Sequence, residues 1–242
     1  MHDGHVSHAR QGDAGSAWDG RVRHLGAHAY GRLLAGARVL EADAHGPKVL
    51  RTPGGLICKV FRRKRWLSSA LWRPYAVRFA QNARALAERG VPTVRVRRVW
   101  HCPAHARHVV AYPFLPGTTL RERAAQAPPE AADWQRLGRF VAALHRRGVY
   151  FRSLHLGNVV VGPDGDFGLI DVADLRVYPR PLGVRARARN FRHLLRDSVA
   201  RATDARQVWT EAYLHAVGAD LSVSRHARLA RAVAAIRTGH GE

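Results

Sequence analysis

The chain is short of acid. Asp and Glu number 18 against 40 Lys and Arg in 242 residues, a formal net charge of +22 with a pI near 11.6. Lysine is scarcer still: Lys48, Lys59 and Lys64 are the only three, which leaves 37 arginines. So basic a surface excludes an acidic solvating domain and favours polyanions as partners, whether nucleic acid, anionic lipid headgroups or phosphorylated glycans. Cysteine occurs twice, as Cys58 and Cys102, which excludes a disulfide framework and a thiolate quartet for zinc. His101, His105 and His108 beside Cys102 match no zinc-finger spacing. A reducing cytoplasm is the expected compartment. No run of about 18 uncharged apolar residues occurs, so no membrane-spanning helix is expected. The polar first residues lack the apolar centre of a secretory signal. Helix-turn-helix, RNP and finger motifs are also missing, so only charge speaks for nucleic acid and it is not expected as a partner.

What is present reads as globular. Hydrophobic residues make up 46% and charged residues 24%, enough for one large domain or two small lobes. Residues 1–24 have no apolar period and read as a flexible tail. A helix over 27–34 precedes three strands over 38–43, 48–52 and 56–61, separated by turn chemistry at His45-Gly-Pro47 and Pro53-Gly-Gly55. A helix over 71–89 carries Val77, Ala80, Ala83, Leu86 and Ala87 on one face and stops at Gly90. Two more strands fall at 94–101 and 108–112. After Pro113 the pattern turns helical, with helices over 118–126, 130–147, 184–201, 205–217 and 223–237. Among these lie two short β segments, 159–161 and 167–170. The organisation is a β-rich lobe over 25–113 and an α-rich lobe over 114–242.

The informative stretch runs from Gly148 to Asp174. A loop carrying Arg152, Leu154, Gly157 and Asn158 is followed by a hairpin and by the apolar strand Leu169-Ile170, which delivers Asp171. This resembles the catalytic core of the protein-kinase-like superfamily, where an H-[RG]-D-L-x-x-x-N loop precedes a strand ending in Asp. The resemblance implies an α+β, two-lobe fold, an antiparallel sheet with one helix above a mainly helical lobe. It implies that Asn158 and Asp171 hold Mg²⁺ against the phosphates of ATP. Lys59, in Ile57-Cys-Lys-Val60, stands where the superfamily keeps its phosphate-binding lysine. Within the superfamily the chain resembles the lipopolysaccharide core sugar kinases, the Kdo and heptose kinase family, and among them sequences labelled toluene tolerance proteins. The cues are Lys59-Val-Phe-Arg62, Arg89-Gly-Val-Pro-Thr93, Leu169-Ile-Asp171 and the basic segment from Arg176 to Arg196. Tyr112-Pro-Phe-Leu-Pro-Gly117 looks like the hinge between lobes.

Two departures bear on catalysis. Ser153 stands at the base position, and a serine hydroxyl does not accept a proton at neutral pH as a carboxylate does. Asn82 stands where the superfamily's helix offers a glutamate to the lysine. Arg152 and His155 flank Ser153 as further catalytic candidates, and His155 or Asp174 are the groups that could substitute for the missing base. Two readings stay open: an ATP- and Mg²⁺-dependent phosphotransferase acting on an anionic glycolipid, the lipopolysaccharide core, and a pseudokinase that binds nucleotide or scaffolds the same pathway. Either is expected in the cytoplasm, with peripheral contact to the inner face of the inner membrane. The basic, aromatic run Arg62-Arg-Lys-Arg-Trp66 with Trp72 suits an anionic membrane surface.

Overall fold

A computed structural model of the protein describes residues 17–62 and 74–236. The first 16 residues of the expected tail, the run from Arg63 through Trp72, and the ends of the helices read at 71 and 237 lie outside the described residues.

Six strands form the first sheet, in the order β1-β5-β6-β4-β3-β2. They are β1 (Arg23–His24), β2 (Arg38–Asp43), β3 (Gly46–Arg51), β4 (Leu56–Arg62), β5 (Arg98–Cys102) and β6 (Arg107–Pro113). All pairings are antiparallel except β1 with β5. Strand alternation gives the sheet two different faces. Cys58 and Val60 of β4 pack with Leu50, Val109 and Ala111 under helix α1 (Ala27–Gly36), which contributes Tyr30. Ile57 belongs instead to the large core, against which Phe61 packs. Lys59 shares the parity of Ile57 and Phe61, so it faces the interior side of the molecule and not the α1 side. The residues from 17 to 24, read as tail, are tied to this sheet. Trp18 is buried, its backbone N–H donates to the carbonyl of Val96, and Arg23 and His24 pair with Trp100 and His101.

Helix α2 (Tyr75–Ala87) lies across the interior face. Its buried residues are Ala76, Phe79, Ala80, Ala83 and Leu86, and Val77 packs partly buried against the same core. The expected stripe therefore holds except at Ala87, which is exposed; Phe79, stacked on Tyr112 at 5.5 Å, widens it. Gly90 adopts φ +65° and ends the helix. The following Pro92-Thr93 explains the Arg89-Gly-Val-Pro-Thr93 run. The Leu169 N–H donates to the Pro92 carbonyl at 2.9 Å, and the Thr93 hydroxyl donates to the Leu169 carbonyl at 2.7 Å. The N-terminal lobe is thereby stitched to the strand that delivers Asp171.

The second lobe holds β7 (Thr118–Thr119), α3 (Leu120–Gln126), α4 (Ala131–Arg146), β8 (Val149–Phe151), β9 (Val159–Val161), β10 (Phe167–Leu169) and β11 (Leu175–Val177). It ends in α5 (Val184–Leu194), α6 (Ser198–Arg201), α7 (Thr203–Gly218) and α8 (Val223–Ala234). Strands β10, β9 and β7 form one small sheet and β11 with β8 another. Helix α3 starts two residues later than the pattern suggests, because Thr119 and Glu122 close a capping box. The helix expected over 184–201 is two helices: Asp197 accepts a hydrogen bond from the Val199 N–H and caps a new start. Helix α4 buries Trp134, Leu137, Val141 and Leu144, and Phe140 on the same apolar face packs partly buried against the core. Gly138 on that face meets α7 so closely that a Cβ would lie 2.2 Å from the Trp209 carbonyl. A helix-interior glycine costs about 1 kcal/mol against alanine. Here it lets two helix backbones touch.

Candidate active site

Between the lobes lies a cleft of about 420 Å³ bordered by Lys59, Val60, Tyr75, Asp171, Ala173 and Asp174. His45 of the turn between β2 and β3 and Gly46 at the start of β3 also border it. Across this cleft the Lys59 ammonium donates to Asp171 Oδ1 at 2.8 Å. Lys59 is 17% exposed and Asp171 46%, so one partner is shielded and the other open to whatever enters. Asp171 itself adopts φ +54° and ψ +44°. That left-handed conformation is uncommon outside glycine and best tolerated by Asp and Asn.

Asn158 does not border the cleft and is 6% exposed. Its backbone carbonyl accepts from the Ile170 N–H at 3.1 Å, which ties the loop to the strand end. Its side-chain Nδ2 donates to the Ser153 carbonyl at 2.8 Å and to His155 Nε2 at 3.2 Å. The Ser153 carbonyl can only accept, so the amide orientation follows from its partners. Both donors are used inward, and Oδ1 is left without a protein partner. An amide oxygen and a carboxylate are hard-oxygen donors of the kind Mg²⁺ takes, and the backbone bond between Ile170 and Asn158 ties together the two segments that carry them, so the chemistry of Asn158 and Asp171 fits the ion the resemblance implies.

His155 uses Nε2 on Asn158, and its Nδ1 is buried without a hydrogen-bond partner. Burial, and then the Arg121 guanidinium, hold its imidazole below the usual histidine range. It is a neutral ring that positions Asn158 and makes no hydrogen bond to Ser153. Arg152 and Ser153 diverge. Arg152 lines a separate arginine-rich groove, whereas the Ser153 hydroxyl donates to Asp174 Oδ2 at a long 3.5 Å. Asp174 Oδ1 lies 3.7 Å from the Arg78 guanidinium. The base position thus holds a hydroxyl that faces a carboxylate from another segment.

Asn82 does not meet Lys59. Its amide donates to the carbonyls of Val172 at 2.7 Å and Leu175 at 2.9 Å, with a longer contact to Ala173. It holds the turn after Asp171 against α2. The sequence offered no sign of this partner; a polar residue on the buried-facing side of a helix was the one available hint.

A sheet lobe above a helical lobe, with a strand lysine meeting a carboxylate across the cleft between them, defines the two-lobe protein-kinase-like fold. Within it, residues 118–219 match the model of the lipopolysaccharide kinase (Kdo/WaaP) family, the family that the motifs indicated. The match contains Ser153, Asn158, Asp171 and Asp174 and leaves Lys59 outside it. No curated protein matches the chain.

Proposed function

We propose that the protein is a kinase of lipopolysaccharide core, transferring a phosphoryl group from ATP to a sugar hydroxyl with the nucleotide in the interlobe cleft. The observation that carries this reading is the 2.8 Å pair between Lys59 and Asp171, inside a cleft whose other half lies in the matched family segment. Each partner of that pair stands in for a ligand: the carboxylate occupies the place of phosphate oxygens on Lys59, and the ammonium that of a cation on Asp171. ATP with Mg²⁺ would supply the transferable phosphoryl group and the charge to neutralise it, and phosphoryl transfer asks of the protein mainly positioning and charge. Asp171 and Asn158 Oδ1 would hold the metal, and Lys59 the phosphates. Asp174 is the carboxylate that would take the proton of the acceptor hydroxyl in place of the missing loop aspartate. The acceptor is met at the cytoplasmic face of the inner membrane; no described helix is long and apolar enough to cross one.

A second reading, a pseudokinase that binds nucleotide or scaffolds the pathway, is favoured by one observation: the base position is Ser153, and no carboxylate lies on the loop itself. Calorimetric titration with ATP and Mg²⁺ tests the nucleotide site that both readings share. The parent should bind and Asp171→Asn should bind at least about tenfold more weakly, since hydrogen bonds and ion pairs to charged groups are worth about 1.5–3 kcal/mol. Equal affinities would remove Asp171 from the site. Transfer of labelled phosphate to core oligosaccharide then separates kinase from pseudokinase.

A further inference from the structure

Arg152, Arg176, Arg189, Arg192 and Arg196 converge with His193 on one groove of about 490 Å³ on the second lobe. They come from three places in the chain. Arg152 follows β8, Arg176 lies on β11, and the other three lie along α5 and just past its end. Strands β8 and β11 pair with Arg176 opposite Tyr150. Arg189 and Arg192, three apart, share one face of α5, and Arg196 follows just past the helix end. All five arginines are exposed. Among the described residues, none of the five side chains makes an ion pair or a hydrogen bond, and no acid lines the groove. The nearest acids along the chain are engaged elsewhere: Asp197 pairs with Arg121 at 2.8 Å, and Asp174 faces Ser153 and Arg78. Arginines elsewhere in the molecule, such as Arg121 and Arg146, do find acidic partners. The field is felt locally. His193, whose Nε2 meets the Tyr150 hydroxyl at 3.3 Å, is held below its ordinary range first by burial and then by Arg196, Arg152 and Arg189.

Five cations brought together without a countercharge repel one another, and an anion in the groove relieves that. Guanidinium forks match a phosphate bidentately. The placement also bears on the reaction. Arg152 lines the groove while the adjacent Ser153 faces Asp174 on the cleft side, so the loop after β8 contributes to both the groove and the cleft.

We propose that this groove binds a phosphomonoester already present on the acceptor glycolipid and so orients the neighbouring hydroxyl toward Asp174. The proposal rests on the kinase reading for its second half only; the anion site can be tested by binding alone.

The test uses the full chain and flotation with vesicles of matched surface charge. One set carries a glycolipid with two phosphomonoesters, the other the phosphodiester phosphatidylglycerol. The variants are Arg189→Ala/Arg192→Ala in the groove and Arg201→Ala/Arg225→Ala as an equal loss of charge elsewhere. The parent should prefer the phosphomonoester vesicles. The groove variant should lose at least about tenfold in affinity for them, while the control stays within about twofold. Inorganic phosphate should compete with the parent and not with the groove variant. Equal losses in the two variants, or equal binding to both vesicle types, would overturn the proposal in favour of general attraction to anionic surfaces. Mg·ATP titration of the same variants keeps the two ideas apart. Unchanged nucleotide affinity supports two sites, and a matching tenfold loss would give the groove to the nucleotide and overturn the proposal. A parent that binds the glycolipid but no Mg·ATP would sink the kinase reading and leave the anion site standing.

Discussion

Ser153 and Asp174 reach each other from two segments, the loop after β8 and the turn before β11. If Asp174 takes the proton that a loop aspartate takes in the wider superfamily, Asp174→Asn should lower turnover by about 10²–10⁴-fold, the usual span of base catalysis, with Mg·ATP affinity unchanged. Restoring the loop carboxylate with Ser153→Asp should not help the parent. Two carboxylates within hydrogen-bonding reach cannot both stay ionised, and one is pushed to bind a proton. The combined variant, Ser153→Asp with Asp174→Asn, should recover much of the activity that Asp174→Asn loses. Labelled-phosphate transfer reads all three, and a combined variant as slow as Asp174→Asn alone would exclude the exchange of roles. At this scale the sequence marked Lys59 on a strand, Asn158 in a loop and Asp171 at a strand end, and the structure brings the first and third together across the cleft. The sequence was silent on which neighbours they choose. Asn82 marks a helix position but not the three carbonyls it serves, since those come from residues about 90 positions later.

Helix α2 and the turn after Asp171 form one unit through Asn82. Asn82→Ala leaves carbonyls of Val172 and Leu175 without their donor, which should cost about 1–3 kcal/mol of stability. Asn82→Glu, the residue a kinase helix would offer to a lysine, should cost more, because a carboxylate would point at carbonyl oxygens and Lys59 is already held by Asp171. Chemical denaturation orders the three proteins, and a glutamate variant more stable than the alanine one would show that Lys59 can be recruited. Helix α5 is joined to β8 in the same manner: the Asn190 amide donates to the Phe151 carbonyl at 2.7 Å and accepts from its N–H at 3.2 Å, as a strand neighbour would. Long elements with a clear period, such as α4 and β4, were legible in the sequence. The three-residue strands β8 and β11 were not, since their pairing is decided by partners distant in the chain. The arginine groove went unread for the same reason: the charges were visible as composition, and only the β8–β11 pairing and the seating of α5 bring them together.

The whole molecule has its own dependence on pH. His145 is fully buried, with Nδ1 accepting from the Tyr213 hydroxyl at 2.8 Å and Nε2 donating to Asn190 Oδ1 at 3.1 Å. That tautomer follows because the Asn190 Oδ1 also accepts from Phe151. Burial above all, and then the Arg187 charge, push His145 down to about 3 from an ordinary 6.5. His155 and His193 move in the same direction. Between their folded and unfolded values the unfolded chain binds more protons, so stability is full above about pH 6.5 and falls as the pH drops toward 3. The slope approaches about 1.4 kcal/mol per pH unit for each fully engaged histidine. Urea midpoints at pH 7, 5.5 and 4.5 should decline in that order. A flat series would mean that the His145 network opens to water before the fold does. The large positive charge adds to the decline at low ionic strength.

Asp171 has a further consequence, which concerns what the fold gives up for its chemistry. A backbone at φ +54° is one that glycine enters freely, and a side chain held there carries strain of about 1 kcal/mol or more. Selection for stability alone would place glycine at this position, because the Lys59 pair is half open to solvent and offsets little. Asp171→Gly should therefore melt at or above the parent temperature while losing Mg·nucleotide binding. The same geometry ranks the variants as probes: asparagine keeps the conformation and removes the charge, whereas alanine removes the charge and adds strain, so only the first reports on chemistry alone.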